Sequence, residues 1–222
     1  SSLQLLAGKM VDGVITMDAF TTLTELTQLI GNMPWVQCAE YADAGDISCV
    51  GIDDVHASRQ LVAHLVASGR KRIALINHDL SYKYAQLRQQ GYQQELEQRG
   101  LSWQAVSYAS ELSFNAGKRA MEALLSVDTQ PDAVFAVSDT LAAGAMAAIQ
   151  AAGHRVPQDI AVAGFDGSEL AEMISPPLTT IAQPSRDIGR TAFSLLLQKI
   201  DDPQSPTERV MMDWRLIVRA SA

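Results

Sequence analysis

Residues 159–189 read D-I-A-V-A-G-F-D-G-S-E-L-A-E-M-I-S-P-P-L-T-T-I-A-Q-P-S-R-D-I-G. The apolar run over 160–165 has the length and composition of a buried strand and delivers Asp166 at its carboxyl end. A short polar helix follows. Pro176 and Pro177 set the entry into a second strand over 178–181, and Gln183 and Pro184 lead into an amphipathic helix. In open α/β sheets ligands sit outside the carboxyl ends of the strands, so Asp166 stands where a ligand group would be held. Its carboxylate can accept two hydrogen bonds from adjacent hydroxyls, such as those of a sugar ring. The residues alone leave a second role open: amino-terminal capping of the helix that Gly167 and Ser168 begin.

The rest of the chain repeats this alternation. Strand-like runs fall at 11–17, 35–41, 48–52, 72–77, 105–109 and 133–137, and a long terminal strand is expected at 209–219, broken by polar Asp213 and Arg215. Amphipathic helices lie between most of them. One at 55–68 carries Asp54 as its cap and Gly69 as its stop, one at 84–99 stops at Gly100, one at 114–125 follows Ser113, and another spans 187–200. Alternating strands and helices predict an α/β fold of parallel sheets flanked by helices.

Composition narrows the function. Hydrophobic residues make up 47% and charged residues 19%, ordinary for a globular chain of 222 residues. The net charge of −8 argues against this segment gripping nucleic acid, which needs clustered Lys and Arg. No apolar run reaches membrane-spanning length, and Ser1 opens no secretory segment. Cys38 and Cys49 could pair, but the simpler reading is two reduced, buried thiols. His56, His64, His78 and His154 lack metal-ligand spacing, and no nucleophile elbow, phosphate loop or dinucleotide fingerprint occurs. No cofactor is therefore expected.

Three segments, V-S-D-T-L-A-A-G-A-M (137–146), V-P-Q-D-I-A-V-A-G-F-D (156–166) and P-P-L-T-T-I-A-Q-P (176–184), resemble the effector-binding region of LacI/GalR-type bacterial transcription regulators in letters, order and spacing. The similarity runs over essentially the whole chain. L-T-T-I-A-Q-P followed by I-G-R (188–190) looks like the cytidine-responsive branch. The resemblance implies a two-lobed, type I periplasmic-binding-protein-like fold whose lobes are joined by three crossings, near 52–55, 181–185 and 201–209. An amino-terminal lobe would comprise 1–53 plus 184–205, and a carboxyl-terminal lobe 54–183 plus 206–222. It also implies a family strand, helix and strand, and before them a DNA-binding helix-turn-helix, ahead of the segment matching 1–17. None of these is in this sequence, so the first lobe is expected to be incomplete.

The resemblance assigns roles to particular residues. Asp166 becomes an effector contact. Arg88, in R-Q-Q-G-Y (88–92), matches the family's R-x-x-G-aromatic motif; its guanidinium fork suits bidentate contact with ligand oxygens, whereas the residues alone leave it an exposed helix arginine. Ser138 matches a polar position facing the ligand, with Asp139 the expected cap of the next helix. Leu112 stands where relatives commonly stack an aromatic ring, which leucine cannot supply. Gln183 and Ser185 match crossover positions bordering the cleft. The helix at 139–152 is rich in small residues; Ala143, Met146 and Ile149 are the expected homodimer interface, with packing onto the chain's own sheet as the alternative.

The expectation is therefore the effector-binding and dimerisation part of a cytoplasmic transcriptional repressor that senses a sugar or nucleoside and meets operator DNA only through a helix-turn-helix outside this sequence. A periplasmic sugar-binding protein of a transport system is the alternative, and an α/β enzyme is disfavoured because no catalytic set emerges.

Overall fold

The structure is a computed structural model that describes residues 11–17, 27–28, 30–41 and 47–222. The beginning of the expected first lobe, 1–10, and the chain start at Ser1 lie outside the described residues. In chain order the elements are β1 (Val14–Thr16), β2 (Trp35–Cys38), β3 (Ser48–Gly51), α1 (Asp54–Ala67), β4 (Ile73–Asn77), α2 (Lys83–Gln98), β5 (Ala105–Tyr108) and α3 (Phe114–Leu125). Then come β6 (Ala133–Ala136), α4 (Asp139–Ala151), β7 (Ala161–Asp166), α5 (Leu170–Met173), β8 (Thr179–Ala182), α6 (Ser185–Asp201), β9 (Arg209–Met211) and β10 (Arg215–Ile217).

The chain divides into two compact units. The first contains the described residues up to Asp53, Ser81–Lys83 and Pro184–Asp213; the second contains Asp54–Leu80, Tyr84–Gln183 and Trp214–Ala222. The first unit is built on a sheet of order β1-β2-β3-β9, parallel throughout. Every residue of β2 and β3 is buried, as expected for parallel strands covered on both faces. Helix α6 covers this sheet with Ile188, Ala192, Leu195 and Leu196, a helical period of buried positions. Gln37 faces Cys49 and Cys38 faces Val50 in the register, so the two cysteine side chains point to opposite faces and cannot pair. Both are free and buried, and burial pushes both thiols up from their ordinary value.

The second unit carries a six-stranded sheet of order β10-β8-β7-β6-β4-β5. All neighbours are parallel except β10, which runs antiparallel to β8. Strands β4 and β6 are wholly buried, while the edge strand β5 is not. Helix α1 places Leu61, Val62 and Leu65 inward and ends at Gly69, whose φ of 95° suits a residue without Cβ.

The single terminal strand expected at 209–219 is two strands in two different sheets. Arg209 pairs with Cys49 and Met211 with Gly51, whereas Arg215 pairs with Ala182 and Ile217 with Thr180. Exposed Asp213 marks the break, and Trp214 begins the return by setting its ring edge-on to His56, 5.3 Å away. Residues 206–213 therefore belong with the first unit, and the last passage falls after Asp213 rather than within 201–209.

Helix α4 also differs from expectation. Ala143, Met146 and Ile149 are 5%, 3% and 0% exposed within the single chain, leaving almost no surface to offer a second copy. The small residues serve an internal close approach instead. A Cβ at Gly144 would lie 2.0 Å from the Phe114 carbonyl oxygen, and one at Gly117 would lie 2.3 Å from that of Leu141. Backbone therefore meets backbone where α3 crosses α4.

Candidate functional site

Asp166 closes β7 with a φ of 116°, a conformation that non-glycine residues rarely adopt and that tends to occur at functional positions. Its backbone is fixed by the Gln183 N–H, which donates to the Asp166 carbonyl at 3.1 Å. The Gln183 side chain returns to the same residue, Nε2 donating to the carboxylate at 3.0 Å. The capping role left open for Asp166 is not taken. Helix α5 begins only at Leu170, and the Ser168 N–H and hydroxyl both donate to Asp139, at 2.7 and 2.8 Å.

Asp139 is buried and receives a third bond from the Thr180 hydroxyl at 2.6 Å. The cap of α4 is Ser138, one residue earlier than expected, whose hydroxyl accepts from the Leu141 N–H at 3.2 Å. Ser138 is itself buried, so its oxygen serves the helix end before any ligand. Asp139 ties the start of α4 to the loop after β7 and to β8, and thereby holds the backbone that carries Asp166.

Arg88 is not an exposed helix arginine; its side chain is 7% accessible. Nε donates to Asp54 at 2.8 Å and Nη1 to the Val137 carbonyl at 2.7 Å. Nη1 also stands 3.8 Å from the Asp166 carboxylate. The guanidinium lies over the Phe165 ring, 3.6 Å from its centroid, with the Tyr84 ring 4.9 Å away. One turn of α2 separates Tyr84 from Arg88, and the Tyr84 hydroxyl meets His78 Nδ1 at 2.6 Å. Nearby, Asn77 donates to Gln89 at 3.0 Å, and Gln89 also accepts from the Tyr108 hydroxyl at 3.0 Å.

The Asp166 carboxyl is pushed up to about 6. Burial is the main cause; Arg88 opposes it, Asp139 raises it, the Gln183 bond lowers it and Asp54 raises it. The 43% of its side-chain surface that still reaches solvent tempers that burial effect. Burial likewise raises Asp139, against the hydrogen bonds from Thr180 and Ser168.

Of the residues singled out by sequence, Arg88, Asp166 and Gln183 are brought together. Leu112 is half exposed on the loop entering α3, next to the Ser113 cap. Asp54, Phe165 and Tyr84 are additional members of the constellation. Asp54 read as a helix cap, and its 34-residue separation from Arg88 gives no local signal; the Tyr84–Arg88 helical spacing was the one readable clue. The arrangement offers hydrogen-bond acceptors and a shielded guanidinium but no nucleophile–base pair. Among the described residues, no group of three His, Cys, Asp or Glu side chains is placed to hold a metal ion, and no helix is long and apolar enough to cross a membrane.

Two α/β units threaded by several passages of one chain, with a polar constellation at a strand's carboxyl end, define a periplasmic binding protein-like domain, and the family model of that description matches residues 62–222. The HTH-type transcriptional repressor CytR of Escherichia coli K12 is 34% identical over 221 residues, covering 99% of this chain and 65% of the repressor. A crystal structure of an uncharacterized protein from Actinobacillus succinogenes superposes with a TM-score of 0.95 at 51% identity, covering 100% of this chain and 82% of that one. A LacI family transcriptional regulator from Enterococcus faecium, with bound ribose, gives a TM-score of 0.91 at 26% identity, covering 99% and 82%. The chain belongs to the LacI/GalR family of transcriptional regulators, and the transporter alternative is set aside. It spans 65% of the length of the CytR repressor that it matches.

Proposed function

We propose that this chain is the effector-sensing and dimerising part of a cytoplasmic transcriptional repressor. It binds a sugar or nucleoside and does not convert it. Operator DNA is met through a helix-turn-helix in another part of the full-length protein, which agrees with the net charge of −8 carried here. The observation that carries this reading is the Arg88–Asp166–Gln183 constellation: a carboxylate at a strand end, bonded by an amide and approached by a guanidinium, suits a ligand rich in hydroxyls. Ser138 and Leu112 border it as further proposed contacts. The names of the relatives support the ligand class, since the E. faecium protein holds ribose.

The two units serve as the two lobes of the sensor. A ligand acts on the protein only through its differential affinity for alternative arrangements of the chain. For assembly, we assign the twofold contact to the 168–174 segment, where Met173 is 79% exposed, rather than to the buried face of α4.

A thermal-unfolding screen against pentoses, hexoses and nucleosides tests the reading. A ligand present at about 100 times its Kd stabilises the folded chain by about 2.7 kcal/mol. Stabilisation by a member of the panel, recovered unchanged by chromatography, is expected. Protein-dependent product formation, or no stabilisation by any member, contradicts the proposal.

A further inference from the structure

Arg70, Lys71 and Arg72 are the chain's one run of three consecutive basic residues, in a sequence whose net charge is −8. They lead into β4 at the amino ends of the strands, whereas Asp166 closes the carboxyl end of β7. β7 is six residues long, so roughly 20 Å of strand separates the two ends. At the amino ends lies an open cavity of about 660 Å³, inside the second unit and walled by the loops before β4, β6 and β7. Pockets that hold small molecules span about 300–1,000 Å³.

Two of the acids around this cavity are already matched. Asp159 accepts three bonds from Arg155: the backbone N–H at 2.7 Å, Nε at 3.0 Å and Nη2 at 2.9 Å. Asp132 accepts the Lys71 and Arg72 N–H groups at 3.1 and 2.9 Å, which ties the basic loop to the start of β6. Arg72 is aimed by its Nε, which donates to the Gln130 carbonyl at 2.9 Å. Its Nη2 stands 3.9 Å from Asp132, beyond hydrogen-bond reach. Among the described residues no hydrogen bond engages the Nη atoms of Arg72, the His154 ring, or the side chains of Asp128 and Thr129, and all four residues line the cavity. Because β6 lies between β4 and β7, Arg72 and His154 come from the two flanking loops, and Asp128 and Thr129 from the central one. Donors thus flank a carboxylate and a hydroxyl.

We infer that this cavity is a second ligand site, for a small hydroxylated molecule carrying one anionic group: a sugar phosphate or a sugar acid. The Arg72 fork suits bidentate contact with the anion, and the His154 ring adds a donor. Asp128 and Thr129 take the hydroxyls, and the Asp128 charge disfavours a second anionic group there. The site is separate from the Arg88–Asp166 face and does not depend on how that face is read.

Amide NMR of the isotope-labelled chain tests this, with D-glucose 6-phosphate, D-gluconate, D-glucose and inorganic phosphate as probes. D-Glucose 6-phosphate or D-gluconate is expected to shift amides within 128–132 and 153–160 saturably, and the tighter of the two identifies the anionic group. D-Glucose lacks the anion and inorganic phosphate lacks the hydroxylated body, so each should bind about tenfold more weakly or worse. Arg72→Gln and His154→Gln, each checked for folding by its own amide spectrum, should each weaken the charged probe by about tenfold. The absence of saturable shifts in those loops overturns the inference. So does equal affinity for D-glucose or inorganic phosphate, or unchanged affinity in both folded variants. Shifts confined to Gly167 and Gln183, beside Asp166, would place the probe on the effector face and overturn it as well.

Discussion

The guanidinium of Arg88 lies over the ring of Phe165, 3.6 Å from its centroid, and this contact helps join α2 to the strand that ends in Asp166. Phe165 is fully buried and stacks at 6.3 Å on Phe135, in the neighbouring strand β6. The sheet core therefore fixes the height and tilt of the guanidinium, and Asp54 fixes its direction. An arginine held from three sides keeps its donors aligned before a ligand arrives, which lowers the ordering cost of binding.

Arg88 and Asp54 form a buried ion pair, so removing either partner leaves an uncompensated charge. Arg88→Ala is expected to destabilise the fold by about 3–5 kcal/mol. Arg88→Ala combined with Asp54→Ala should cost less than the sum of the two single substitutions, because neither charge is then stranded. Urea unfolding of the four proteins measures this. Additive losses would show that the pair is not coupled.

The raised Asp166 carboxyl gives binding and folding opposite pH dependences. Below the ordinary value of 3.8, folded and unfolded chains both hold the proton. Between 3.8 and about 6 the folded chain keeps a proton that the unfolded chain releases. Folding is thus favoured at the acid end of that window, and the contribution is lost as pH rises through about 6. A hydroxyl-rich ligand needs the ionised carboxylate, so its affinity should rise across the same window and be about tenfold weaker near pH 5 than near pH 7. Titration in two buffers of different ionisation heat should register proton release on binding near pH 6. A pH-independent affinity that Asp166→Asn leaves unaltered would sink this assignment.

Gly144→Ala separates intrinsic propensity from packing. In an exposed helix interior alanine would be favoured over glycine by about 1 kcal/mol. Here the new methyl would meet the Phe114 carbonyl at 2.0 Å, against backbone that cannot step aside cheaply. The variant should be destabilised by about 1–3 kcal/mol or more. A rise in thermal midpoint would show that the α3–α4 crossing is looser than described.

Two substitutions distinguish internal from intermolecular roles near α4. Met146→Glu places a charge at a site 3% exposed and should cost the fold about 3–5 kcal/mol. Met173→Glu lies at a site 79% exposed and should leave circular dichroism unchanged. Light scattering coupled to size exclusion should then show a dimeric parent and a monomeric Met173→Glu variant. A folded Met173→Glu protein that stays dimeric would remove the 168–174 segment from the interface.

What the sequence made legible follows from where its signals are strong. Strands β2, β3, β4 and β6 are short, wholly buried runs, β7 is buried up to Asp166, and the helices from α1 onward follow clear sequence signals, so the parallel α/β architecture was readable. Strands β9 and β10 have three residues each, with exposed and half-exposed positions, and only their different partners separate them. Ser138 and Asp139 are adjacent and equally able to cap, so only the bond to Leu141 decides between them. The alanines of α4 suit internal or intermolecular contact alike; the choice was made by Gly117, on another helix. The ligand-facing group showed the same division. Asp166 could be placed at a strand end, but the Asp54 that aims Arg88 could not, because the pairing is tertiary.

The central claim is that Arg88 and Asp166 hold the effector. Calorimetric titration of the tightest uncharged panel member into the parent chain, Arg88→Lys and Asp166→Ala tests it most directly. Lysine keeps the charge opposite Asp54 but loses the planar fork, and alanine removes the acceptor. Each variant should remain folded and lose about 1–3 kcal/mol of binding free energy per charged hydrogen bond removed, a roughly tenfold to 100-fold weakening. Parent-like affinity in both variants would contradict the account.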